Sequence, residues 1–101
     1  MGRLFVKELR EAPHIVCINC STCIAVLRHK LHLPPDEAEE NVGVFRKVVN
    51  VQVEEYQNYQ VGPHTVTNIY CLKCRNELGC IYIQVVGEQN ILRDGYVKIM
   101  M

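Results

Sequence analysis

Two cysteine pairs carry most of the chemistry this chain has to offer: Cys17-Ile18-Asn19-Cys20 and Cys71-Leu72-Lys73-Cys74. Two residues between cysteines let the chain reverse, so that both sulfurs face one ion. Two such pairs complete the tetrahedral four-thiolate set that zinc prefers. Four thiolates saturate the ion and leave no position for a water or a substrate. The spacing therefore predicts one structural zinc per chain, held by Cys17, Cys20, Cys71 and Cys74.

One further cysteine, Cys23, complicates the first pair. Cys17, Cys20 and Cys23 overlap as two successive Cys-x-x-Cys runs. The extended run His14-Ile15-Val16 leads into Cys17, just as another leads into Cys71. A Cys20/Cys23 pair would instead begin inside the turn that Cys17 opens, so Cys17 and Cys20 are the favoured ligands. Cys23 and Cys80 then remain as spare thiols. A spare cysteine is commonly a small buried hydrophobe. Reactivity requires a lowered pKa, for which Arg75 and His64 are candidate sources. His29 and His32 follow Cys23 too closely for a finger-type site and read as surface or loop histidines.

Composition narrows the function classes. At 101 residues the chain is expected to form one domain over 1–101. Its formal net charge is zero, which offers no electrostatic footprint for a phosphate backbone, although Arg28, His29, Lys30, Lys73 and Arg75 could form a small basic patch. Nucleic acid is an unlikely partner on this basis. The opening stretch carries Arg3, Lys7, Glu8, Arg10 and Glu11 and has no apolar run of leader length. No stretch approaches a membrane span, and Val6 stands where a myristoylation signal needs Ser or Thr. A reducing compartment is expected, with the cysteines as thiols or ligands rather than disulfides. No Ser-His-Asp arrangement, phosphate loop or carboxylate pair stands out.

The elements that must position these residues read as short strands. Leu4-Phe5-Val6 opens one, and His14 to Val16 forms another. Ile24 to Leu33 fits a helical face through Ile24, Leu27 and Leu31, or a strand through Ile24 and Val26. Pro34-Pro35 ends either, and Asp36 to Asn41 is an acidic loop or turn. Val44 to Val53 is rich in β-branched residues and reads as one strand. Glu54 to Gln60 is a polar hairpin connection, and Gly62-Pro63 is a turn. His64 to Tyr70 is a strand running into the second cysteine pair. Gly79 allows a tight bend before a strand over Ile81 to Val86. Gly87 to Leu92 is a loop, Asp94-Gly95 a hairpin-type turn, and Tyr96 to Met100 a last strand.

The fold class expected is all-β, clamped at one end by zinc. About fifty residues separate the pairs, and closing so long a connection costs entropy. Structural zinc contributes about 10–16 kcal/mol in small peptides, comparable to the whole net stability of a domain, about 5–15 kcal/mol. The metal-free chain is therefore expected to be largely unfolded.

The sequence resembles the Yippee family, plant Yippee-like proteins in particular. The resemblance rests on Met1-Gly2-Arg3-Leu4-Phe5, Cys17-x-x-Cys20, Val48-Val49-Asn50-Val51 and His64-Thr65-Val66-x-x-Ile69-Tyr70-Cys71-x-x-Cys74, followed by Gly79. It implies a β-tent: two antiparallel sheets splayed from a shared four-cysteine zinc site, as in the ligand-binding domain of cereblon and a centromere-licensing family. It also implies a cleft between the two sheets that holds a small molecule or peptide, with Asn50, His64, Cys80 and Tyr82 as wall positions. The family usually has Trp where this chain has Cys80, and the chain has no Trp at all. An aromatic cage attracts a cation or stacks on an imide through its ring faces, so this cleft lacks one of the faces such a cage needs.

Two functions compete. The first is a non-enzymatic, zinc-stabilised protein-interaction module. The resemblance implies an unidentified protein partner, ubiquitin-ligase or cell-division and growth-control assemblies, and residence in nucleus or cytoplasm. The second is a thiol enzyme similar to methionine sulfoxide reductases of the B type, with Cys80 and Cys23 as attacking or resolving thiols.

Overall fold

The computed structural model describes residues 14–34, 41–54, 57–87 and 91–100. The strand expected at Leu4-Phe5-Val6, the charged stretch behind it and most of the acidic stretch after Pro35 lie outside the described residues.

The chain forms two antiparallel sheets of very unequal size. A two-stranded ribbon pairs β1 (His14–Val16) with β2 (Cys23–Val26). The large sheet contains β3 (Val42–Phe45), β4 (Val51–Val53), β5 (Tyr59–Val61), β6 (His64–Cys71), β7 (Glu77–Gln84) and β8 (Val97–Met100). Its order is β3-β8-β7-β6-β4, with β5 also on β6. β4 pairs with the end of β6 that reaches Cys71, and β5 with the end that starts at His64. Among the described residues the only helical element is a 3-10 turn at Leu27–His29. No helix there is long and apolar enough to cross a membrane.

Alternation of side chains gives the large sheet two working faces. One face presents Ile69, Leu78, Val97, Ile99 and Phe45, and the ribbon lies over it through Ile24 and Ala25. The zinc-type cysteines Cys17 and Cys71 belong to this same buried cluster. The opposite face carries a smaller cluster of Val66, Cys80 and Tyr82, with Val85, Leu92 and Tyr96 packed against it. Residues paired across β6 and β7 share a face, Val66 with Tyr82 and Asn68 with Cys80.

Three expectations change. The single strand over Val44 to Val53 is two strands, on opposite edges of the sheet: β3 pairs with β8, and β4 with β6. Between them Asn50 turns the chain with φ of 58°. A β-branched run favours extension but does not say which neighbour it extends against. Secondly, Gly79 is no bend. It lies within β7, opposite Ile99, and a Cβ there would collide with the Lys98 backbone carbonyl. Glycine is required by the closeness of the next strand. β7 accordingly begins at Glu77 and ends at Gln84, rather than running from Ile81 to Val86. Thirdly, part of the expected connection after Glu54 is a strand, β5. The stretch after Cys23, open between helix and strand, takes the strand alternative over Cys23–Val26 and then the 3-10 turn, with Leu31 N–H donating to the Val44 carbonyl at 2.8 Å.

Candidate metal centre and cleft

The two cysteine pairs sit on turns of identical design. In the first, Ser21 N–H donates to the Cys17 carbonyl (2.7 Å), and Cys17 N–H donates to the Thr22 carbonyl (2.8 Å). In the second, Arg75 N–H donates to the Cys71 carbonyl and Cys71 N–H to the Asn76 carbonyl, both at 2.8 Å. Each turn ends in a left-handed residue, Ser21 or Arg75, with φ of 63°. The last strand residues before each turn, Val16 and Tyr70, feed the chain in from β1 and β6.

The turns face each other and bring four sulfurs within 4.8 Å of one another. Cys20 and Cys71 lie 3.5 Å apart, and Cys17 and Cys74 lie 3.6 Å apart. Zn–S bonds of about 2.3 Å place the sulfurs of a tetrahedral site about 3.8 Å apart. The donor set and its spacing therefore fit a zinc ion. All six cysteines except Cys23 and Cys80 belong to this cluster, and none is in a disulfide.

The four thiols are electrostatically unequal. Cys20 is lowered to about 6, first by the Thr22 hydroxyl at 3.0 Å and then by the Thr22 backbone. Cys74 is lowered by the Asn19 side chain and the Asn76 backbone. Cys71 is pushed up to about 11 because it is buried. Packing several thiolates together favours a divalent cation among them, and zinc ligation deprotonates the reluctant thiol as well.

The expected cleft residues divide. Cys80 and Tyr82 line a cleft of about 310 Å³, together with Tyr59, Val61, Lys98 and Met100; it lies on the face of the large sheet away from the ribbon, not between the two sheets as expected, because Cys80 and Tyr82 alternate onto that face. His64 stands at the edge of Tyr82, with ring centroids 5.8 Å apart and planes at 87°. Its Nδ1 accepts the Val86 N–H at 3.1 Å. Asn50 stands apart. It immediately precedes Val51, which pairs with Cys71, whereas His64 opens the same eight-residue strand. At about 3.3 Å per residue the two ends of β6 lie about 23 Å apart, too far to wall one small ligand. The Asn50 side chain donates to the Cys23 carbonyl at 2.7 Å. Its place is beside the metal centre, not the cleft.

The sequence of residues 16–98 matches the family model described as "Yippee zinc-binding/DNA-binding /Mis18, centromere assembly". The chain belongs to this Yippee family. It is 34% identical over 97 residues to a protein yippee-like from Solanum tuberosum, covering 94% of this chain and 74% of that protein. A protein yippee-like from Arabidopsis thaliana is 31% identical over 97 residues, covering 94% and 75%. The family and the four-cysteine cluster together make this chain a zinc-binding Yippee module.

Several working residues of this Yippee chain escaped sequence reasoning. Thr22 and Asn76 each follow the second cysteine of a pair by two positions, and that repeated offset was available as a signal. Tyr59 had none. It reads as a loop residue, yet its hydroxyl donates to Asn68 Oδ1 at 2.7 Å beside Cys80.

Proposed function

We propose that this Yippee chain is a non-enzymatic interaction module, in which zinc stabilises a scaffold and the open face of the large sheet receives a partner protein. The observation that carries the reading is the placement of the cysteines. Four thiols are committed to one cluster, which a tetrahedral ion would saturate. The remaining two, Cys23 and Cys80, belong to different sheets, in β2 and β7. A reductase needs an attacking and a resolving thiol within exchange distance, so this division weighs against the thiol-enzyme reading. The cleft supports the interaction reading, because Val61 and Met100 are partly exposed apolar side chains at its rim.

The partner we infer is a protein of a ubiquitin-ligase or cell-division and growth-control assembly, in the nucleus or cytoplasm, contributing a peptide segment to the cleft. Duplex DNA is a less suited partner, given the zero net charge. The test is quantitative affinity capture from cell extract, with the zinc-loaded chain and with Val61→Glu as baits. A protein retained by the first and lost by the second supports the reading. Capture of no specific protein would overturn it. So would turnover of methionine sulfoxide with a dithiol reductant that disappears in Cys80→Ser.

A further inference from the structure

Asn50 lies where the two cysteine turns meet. Its Nδ2 donates to the carbonyl of Cys23, just beyond the first turn, at 2.7 Å. Its own carbonyl accepts the N–H of Leu72, inside the second turn, at 2.9 Å. The flanking residues make the same connection: Val49 N–H donates to the Ile24 carbonyl at 2.8 Å, and Val51 pairs with Cys71. One short segment is thus bonded to the strand that leaves the first turn and to the second turn itself. The backbone at Asn50 is left-handed, with φ of 58°, and the residue is only 9% exposed. Asparagine takes that conformation more readily than other side chains.

Each turn is shaped by its own local hydrogen bonds, which say nothing about the distance to the other turn. Cys20 and Cys71 are 51 residues apart in sequence. Apolar packing of Ile24 and Ala25 on the large sheet holds the halves together without fixing their register, and without a directional brace the metal would have to fix that register against chain entropy. We propose that Asn50 is the positioning residue of the zinc site: its side chain and carbonyl set the separation of the two cysteine pairs, so that four thiols converge in binding geometry. This rests on the zinc-module reading above.

Two substitutions dissect the brace. Asn50→Gly keeps the left-handed backbone without strain and loses the side-chain donor. Asn50→Asp keeps a side chain that tolerates the conformation but sets an acceptor against the Cys23 carbonyl. Leu31→Ala serves as a control, since Leu31 is buried at the β3 edge and its loss destabilises the fold by another route. Zinc affinity is measured by competition with a chromophoric chelator, zinc release by the rate of transfer to it, and site geometry by the cobalt d–d spectrum.

Groups bonded directly to metal ligands typically contribute about 10–100-fold in affinity, and Asn50, which acts through Cys23 and Leu72 beside the ligands, is placed at the lower end of that range. Both Asn50 variants are expected to bind zinc about 10-fold or more weakly and release it faster, with an altered cobalt spectrum, while Leu31→Ala keeps the wild-type spectrum and release rate. If neither Asn50 variant takes up zinc under conditions that load Leu31→Ala, the conclusion is the same. Wild-type affinity, release rate and spectrum in both Asn50 variants would overturn the proposal, as would equal changes in Leu31→Ala. A wild-type chain that takes up no zinc would instead overturn the zinc-module reading beneath it.

Discussion

Ser21 and Arg75 occupy the same position in the two cysteine turns, each with φ of 63° and each donating its N–H to the first cysteine of its pair. Neither is glycine, although the conformation favours glycine. A left-handed backbone costs a residue with a Cβ about 1–2 kcal/mol, and glycine's extra freedom in the unfolded chain returns about 0.5–1 kcal/mol of that. Ser21→Gly and Arg75→Gly are each expected to stabilise the zinc-loaded protein by about 0.5–1 kcal/mol. Urea unfolding monitored by circular dichroism checks this; a lower midpoint in either variant would contradict it.

Metal removal should have a larger effect. The sulfurs join the ribbon to β6 and β7, and zinc ligation of the order of 10–16 kcal/mol exceeds what a small sheet retains without it. A strong chelator is expected to abolish the cooperative thermal transition, and zinc to restore it. Cys74→Ser should behave like the chelated protein at modest zinc concentrations. A transition unchanged by the chelator would show that the two sheets hold together on packing alone.

Gly79→Ala is expected to be among the most damaging single-methyl additions in the chain. The new Cβ would collide with the Lys98 carbonyl. That atom belongs to the backbone of β8, which is held by β7 on one side and β3 on the other, so it cannot swing away as a side chain would. Backbone strain and lost pairing together place the cost at about 3 kcal/mol or more. Hydrogen exchange should show protection lost first along β8; a variant as stable as wild type would mean that β7 and β8 separate easily.

Thr67 is only 1% exposed, and its hydroxyl donates to the Glu54 carbonyl at 2.6 Å. Thr67→Val preserves the shape and leaves that carbonyl without this donor. The expected loss is about 1–2 kcal/mol, read from denaturant midpoints. No loss would indicate that water replaces the hydroxyl.

Tyr59 adds a pH dependence on the alkaline side. Desolvation raises its pKa above the ordinary 10.0, and the Cys80 thiol and Glu77 push the same way, against Lys98. A proton held more tightly in the folded state stabilises fully below the unfolded pKa, and that contribution is lost as pH rises from about 10 through the folded pKa. Tyr59→Phe is expected to lack this loss, while also losing the bond to Asn68. Unfolding midpoints from pH 8 to above 10, corrected for the other tyrosines by comparison with the variant, test the sign. An identical decline in both proteins would remove Tyr59 as its source.

The chain alone determined the fold class and which four cysteines come together. Cys17, Cys20, Cys71 and Cys74 were legible because a Cys-x-x-Cys turn is a local device, complete within a few residues. β6 was legible for a similar reason: its β-branched and aromatic residues favour extension wherever the strand goes. Only the tertiary structure decided which strands lie side by side. It divided the run from Val44 to Val53 between two sheet edges, made Gly79 a point of contact instead of a bend, and moved Asn50 from the cleft to the metal centre. Those outcomes depend on partners remote in sequence: Lys98 for Gly79, and Cys23 and Leu72 for Asn50. Side-chain type and spacing record what a residue can do; the register of distant strands sets what it touches.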